Sequence, residues 1–211
     1  YSVEGYLPDY IVYNTYVYPE LKSSAGFQGW LGKHYYLKPN TPTLVDREEK
    51  AIQFMMDVIQ QYDDTHDKRH TVIGVQVENE PDMLVTRHND EHGYKQQQLW
   101  PDLTAMLDRL GQVVKKSDYK CYTRVNLVID RDYLQRCKDL VATQGIDYVG
   151  LDPYQNIISD IDIKLRQLQN IEGNYAHIAE NGGEYANTDL LSFKALTLGC
   201  GYGVFEVITT S

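Results

Sequence analysis

Two glutamates stand where a carboxylate is costly to place. Residues 71–81 read TVIGVQVENEP: Val72, Ile73, Val75 and Val77 make a β-branched run that ends abruptly in Glu78-Asn79-Glu80-Pro81. Residues 175–179 read YAHIA and end in Glu180-Asn181-Gly182-Gly183. Such runs suit strands buried on both faces, and a charge at the tip of one is expensive to bury without a purpose. The carboxyl ends of parallel strands are also where such folds place their chemistry. Two carboxyl groups converging from two strands can share acid/base and nucleophilic work. To break a glycosidic bond, one protonates the leaving oxygen and the other attacks the anomeric carbon. A retaining enzyme holds the two about 5 Å apart and an inverting one about 6.5–9.5 Å, a distance that residue order does not report. Further polar groups fall at strand ends in Asp152-Pro153-Tyr154 and at Glu206. Glu184 rivals Glu180 but lies past the glycines, off the strand tip.

Positioning these groups requires a regular scaffold, and the chain alternates strand and helix signals throughout. Strands are expected near residues 12, 75, 125, 149, 177 and 205. A helix is expected over 46–62, with Asp46 and Glu49 as a capping box and Ile52, Met55, Met56, Ile59 and Tyr62 as its buried stripe. Further helices are expected over 96–116, 131–143 and 158–168, and one is capped by Asn187 or Thr188. The alternation implies a parallel sheet with right-handed crossovers. Pattern alone leaves an open sheet and a barrel both possible. Residues 19–42 read as a long loop holding Phe27, Trp30, His34, Tyr35 and Tyr36, either a functional surface or a segment pinned by its own aromatics. Asn79 and Glu80 alternate in direction on a regular strand, so presenting both to one ligand requires a twist or bulge at the tip.

Composition narrows the partners. The 211 residues suit one domain, with 42% apolar residues to build its core. A formal charge of -10 disfavours nucleic acid and anionic membrane surfaces. No apolar run is long enough to span a bilayer. Eighteen tyrosines against four Phe and two Trp suit sugar faces as well as half-buried positions. Cys121, Cys137 and Cys200 are too scattered for a metal site and read as buried thiols. His66 with His70, and His88 with His92, are four apart in polar stretches without a third convergent ligand. No metal and no cofactor are therefore expected, and a metal-dependent hydrolase using His88 and His92 is the weakest of the readings.

The motif VQVENEP resembles the strand-four motif of the retaining glycoside hydrolases of clan A. It is nearest to the QVENE strand of the β-galactosidase-type families 35 and 42. The resemblance implies a (β/α)8 TIM barrel with strands three to eight in this chain, so that residues 1–211 form a single catalytic barrel domain expected to be N-terminally incomplete. It implies Glu80 as acid/base, Asn79 as a ligand of the sugar 2-hydroxyl, Glu180 as nucleophile at the end of strand seven, and Tyr154 as the tyrosine after strand six that hydrogen-bonds the nucleophile. Tyr16 at the end of strand three and Trp30 are further candidate sugar contacts. The chain departs from the pattern in three ways: strands one and two are not apparent, the aromatic often found at strand eight is replaced by Tyr202, Phe205 and Glu206, and ENGGEY is not the usual sequence after strand seven. The expected function is double-displacement cleavage of β-linked glycosides, with a carbohydrate as partner and a secreted or periplasmic location. The alternative is a non-catalytic carbohydrate-binding protein on a degenerate barrel.

Overall fold

The computed structural model describes residues 17–22, 35–37, 39–83, 85, 96–129, 131–154, 157–182 and 187–204. Tyr16, Trp30, His88, His92, Glu184 and Glu206 lie outside the described residues, as does most of the strand expected around residue 12.

β1 (Val17–Lys22) runs from the end of the expected strand into the segment read as a loop, and pairs antiparallel with β2 (Tyr35–Leu37) inside that segment. Helix α1 (Pro42–Thr65) follows and begins four residues earlier than the capping-box reading placed it. The entry residue is Pro42, whose fixed φ suits the first helical turn. Asp46 and Glu49 therefore lie inside the helix, and both grip Arg109 of the next helix, at 2.9 Å and 2.8 Å. The buried stripe is also narrower than expected. Val45 and Met56 are buried and Ile52 and Ile59 partly so, while Met55 and Tyr62 are 38% and 60% exposed. Helix α2 (Gln96–Lys116) packs along that stripe.

The main sheet has five strands: β3 (Gly74–Asn79), β4 (Tyr122–Val128), β5 (Tyr148–Asp152), β6 (His177–Ile178) and β7 (Gly201–Tyr202). Helices α2, α3 (Tyr133–Val141), α4 (Ile158–Gln169) and α5 (Thr188–Thr197) connect them in turn. All four strand pairs are parallel, and the spatial order is the order of the sequence. A doubly wound sheet reverses its strand order at a switch point, whereas a barrel wall winds one way. The winding here is that of a barrel wall, with neighbouring helices packed on one another as its outer layer.

Period-two alternation sorts each strand between two faces. Val75, Val77, Val125, Leu127, Val149, Leu151 and Ile178 are buried against Leu107, Leu110, Leu140, Leu165 and Leu191 of the helices. Each such side chain contributes about 1.5–3 kcal/mol. The opposite face is polar and carries Gln76, Arg124, Asn126, Tyr148, Asp152 and His177. Gly150 makes room there: a Cβ at that position would fall 2.3 Å from the His177 ring. Arg124 Nη1 donates to His177 Nε2 at 3.3 Å, so the ring proton sits on Nδ1, facing the Tyr175 carbonyl at 3.4 Å. Burial and the Arg124 charge together push His177 down to about 4. This histidine is a neutral structural group of the sheet's polar face.

Candidate active site

The tip of β3 is irregular. Its register against β4 shifts between Gln76 and Glu78, the bulge that presenting two successive residues to one side demands. Glu78 is buried, and its Oε1 accepts the Asn79 N–H at 3.0 Å. Asn79 Oδ1 accepts from Gln76 Nε2 at 3.1 Å and from Asn126 Nδ2 at 2.9 Å. Glu80 sits at φ +46°, a left-handed conformation that costs a non-glycine residue on the order of 1–3 kcal/mol and clusters at functional sites. It is held there by its N–H, which donates to Asn126 Oδ1 at 3.2 Å, and by its carbonyl, which accepts from the Met83 N–H at 3.0 Å.

The turn is anchored beyond Glu80 as well. Asp82 is fully buried; its Oδ1 accepts the Val128 N–H at 3.2 Å and its Oδ2 meets Arg136 Nη1 of α3 at 3.4 Å. The Arg136 guanidinium lies 5.5 Å from the Trp100 ring centroid, a distance that suits cation–π attraction. Trp100 in turn donates to Asp139 at 2.8 Å. The residues flanking the Glu80 carboxyl are thereby tied to β4, α2 and α3.

Two further strand ends complete the rim. Tyr154, just past β5, is also at φ +46°, and its hydroxyl donates to Glu180 Oε2 at 2.8 Å. Asn181 is buried, donates its side chain to the Tyr202 hydroxyl at 2.7 Å and its N–H to the Gly203 carbonyl at 3.1 Å, and so fixes the end of β6 to β7. A Cβ at Gly203 would lie 2.1 Å from the Ala179 carbonyl oxygen, so only glycine allows that approach. Glu80 and Glu180 are half-buried and Tyr154 is 40% exposed, which leaves the cluster open to solvent.

Asp152 lies among these groups, only 4% exposed. Asn126 Nδ2 donates to its Oδ2, while its Oδ1 is buried without a hydrogen-bond partner. Burial, then the negative charges of Glu180 and Glu80, push Asp152 up to about 9, against the lowering effect of the Asn126 donor. Burial raises the Tyr154 phenol too, followed by its bond to the Glu180 carboxylate and by the charges of Glu180, Glu80 and Asp152. The fields of Glu80 and Glu180 therefore overlap at both Asp152 and Tyr154. Among the described residues, no three His, Cys, Asp or Glu side chains are grouped as metal ligands.

Of the side chains singled out by sequence, the structure brings Asn79, Glu80, Tyr154 and Glu180 to one rim, while Tyr16 and Trp30 fall outside the described residues. Two participants carried weak sequence signals. Asp152 stood out only as a polar group at a strand end. Asn126 was not singled out, although it is the one amide within YTRVNLV, on the face opposite Val125 and Leu127. It accepts from Glu80 and donates to both Asn79 and Asp152.

Solved structures of glycoside hydrolases share this fold. Bacteroides uniformis beta-glucuronidase matches with a TM-score of 0.57 at 18% identity, over 79% of this chain and 22% of that one. A beta-glucuronidase 2 from the same organism, covalently bound to cyclophellitol-6-carboxylate aziridine, gives the same values. A fungal beta-1,4-galactanase matches with a TM-score of 0.54 at 13% identity, over 77% of this chain and 58% of that one. The chain thus spans about a fifth to three-fifths of the lengths of these proteins. No curated protein matches it. The model of the family described as Domain of unknown function (DUF4978) matches residues 102–211, and the chain belongs to that family. The matched part includes Asn126, Asp152, Tyr154 and Glu180 and begins after Glu80.

Proposed function

We propose that this chain forms the catalytic part of a retaining glycoside hydrolase that cleaves β-linked glycosides by double displacement. In this reading β3 to β7 are barrel strands four to eight, as the clan A resemblance implies. Glu180 attacks the anomeric carbon, and Glu80 protonates the leaving oxygen and then activates the incoming water. Asn79, its amide oriented by Asn126 and Gln76, binds the sugar. Tyr154 orients the nucleophile through its hydrogen bond. The observation that carries the proposal is this constellation: Glu180 held by Tyr154, and Glu80 close enough for both glutamates to act on Asp152. The beta-glucuronidase and beta-1,4-galactanase named above support a β-glycoside as the substrate class. The β-galactosidase-like motif favours a galactoside. Polymers of that kind lie outside the cytoplasm, so we place the protein in the periplasm or outside the cell.

The test is a panel of nitrophenyl β-glycosides. E180A is expected to abolish turnover, and E80A to retain activity on substrates with good leaving groups, which need no acid in the first step. Wild-type rates in both variants would overturn the assignment. Sugar binding without turnover by the unmodified protein would favour the carbohydrate-binding reading instead.

A further inference from the structure

Asn126 lies on β4, fully buried, with its amide between the ends of β3 and β5. Its contacts fix which way round that amide sits. The Glu80 main-chain N–H, 3.2 Å away, can only donate, so the atom facing it is the carbonyl Oδ1. The other end is therefore the NH2, which donates to Asn79 Oδ1 at 2.9 Å and to Asp152 Oδ2. A reversed amide would set oxygen against oxygen at Asn79 and Asp152, and NH2 against N–H at Glu80.

The constraint passes on to Asn79. An NH2 group needs an acceptor, so Asn79 turns its oxygen to Asn126 and its own NH2 the other way. Gln76 Nε2 donates to the same oxygen at 3.1 Å, which occupies its second lone pair. Asn79 is half-buried, and its NH2 is the part of this amide left to meet a ligand. The Asn126 oxygen meanwhile accepts from Glu80 in its left-handed turn at φ +46°. One side chain on β4 thus acts on two successive residues at the tip of β3.

We propose that Asn126 is a positioning residue of this site: it sets the direction of the Asn79 amide and steadies the main-chain turn that carries Glu80, so that the site meets its ligand with a hydrogen-bond donor at Asn79. The ligand atom placed there is then an acceptor, such as a sugar hydroxyl oxygen. For the sugar the inference rests on the glycosidase reading; the direction of the two amides does not.

Two measurements test this. The first needs no turnover: hydrogen exchange of the side-chain amides in isotope-labelled protein, with the Asn79 signal identified by its loss in N79D. The Asn126 NH2 is expected to exchange slowly, because it is buried with both hydrogens bonded, and the Asn79 NH2 to exchange fast. In N126D/D152N the amide and the carboxyl trade places, so the contact between β4 and β5 keeps a donor and an acceptor, and the Glu80 N–H keeps an oxygen to donate to. The oxygen then facing Asn79 can only accept. The Asn79 NH2 is expected to turn inward and become protected. A slowly exchanging Asn79 NH2 in the wild type, or one that exchanges alike in both proteins, would overturn the proposal.

The second is kcat/KM for nitrophenyl β-glycosides, compared between N126D/D152N and D152N, which keeps Asn126 and an oxygen for it to donate to. The double variant is expected to fall about tenfold or more below D152N, because its Asn79 presents the wrong end to the sugar. A merely structural Asn126 predicts equal rates once both variants are folded, and equal rates would overturn the proposal. If the wild type cleaves none of these glycosides, the glycosidase reading fails and exchange decides the amide directions. If the double variant does not fold, exchange in the wild type decides them.

Discussion

Replacing Arg136 with Met probes the anchor behind Glu80. The Arg136 and Asp82 side chains are 4% and 0% exposed, with their charged atoms 3.4 Å apart. R136M leaves the Asp82 carboxylate buried without its guanidinium, a change that costs about 3–5 kcal/mol in comparable sites. That is a large share of the roughly 5–15 kcal/mol holding a typical domain together. For a chain of this size it corresponds to a fall in Tm of about 6–20 °C. The double variant D82N/R136M removes both charges, and the amide oxygen that replaces the carboxylate can still accept the Val128 N–H. It is expected to recover most of the loss. The deficit of R136M also has a pH signature. Without the arginine, the folded-state pKa of Asp82 rises above its unfolded value near 3.9. The contribution is then fully favourable below that value and is lost as pH rises through the folded pKa. R136M is therefore expected to approach the wild type near pH 4 and to fall behind at neutral pH. Urea unfolding of the wild type and both variants at the two pH values, fitted with a common m value, measures each quantity. An R136M within about 0.5 kcal/mol of the wild type, a double variant as unstable as R136M, or a deficit independent of pH would refute the reasoning.

Two further outcomes follow from single side chains. Y154F removes a hydrogen bond to the Glu180 carboxylate; such bonds are worth about 1.5–3 kcal/mol, so kcat is expected to fall about 10–150-fold. Thermal unfolding should be almost unchanged, since Tyr154 is 40% exposed; steady-state kinetics beside calorimetry separate the two. His177 titrates near 4 in the folded protein against an ordinary 6.5, so its contribution to stability is present above 6.5 and is lost as pH falls through 4. The difference between wild type and H177Q across that window is expected to change by about 3 kcal/mol, and equal acid curves would show that the histidine is not held neutral.

Much of this arrangement could be read from residue order because it rests on local signals. The β-branched run before Glu80 and the alternation of strands with amphipathic helices are properties of short windows. Helix α2 accordingly spans 96–116, as its periodicity predicts. Other features depend on contacts that no window contains. Asp46 and Glu49 satisfy every local rule for a capping box, yet Pro42 starts the helix earlier and Arg109, about sixty residues on, engages both carboxylates. The choice between barrel wall and open sheet lay in which strands are neighbours, a tertiary fact. Asn126 escaped notice because one amide in an apolar strand has no sequence partner; its meaning comes from Asn79, Glu80 and Asp152 converging on it from two other strands.

The sequential neighbour order has a consequence for how the molecule is made. Each strand from β4 onward docks against the one synthesised just before it, so every pairing can close as soon as its second member emerges from the ribosome. Loop closure therefore remains short at each stage of this sheet. Growth of this kind also lets the turns at the rim lengthen or change one at a time. New surroundings for the same carboxyl groups can then be tried without rewriting the wall that carries them.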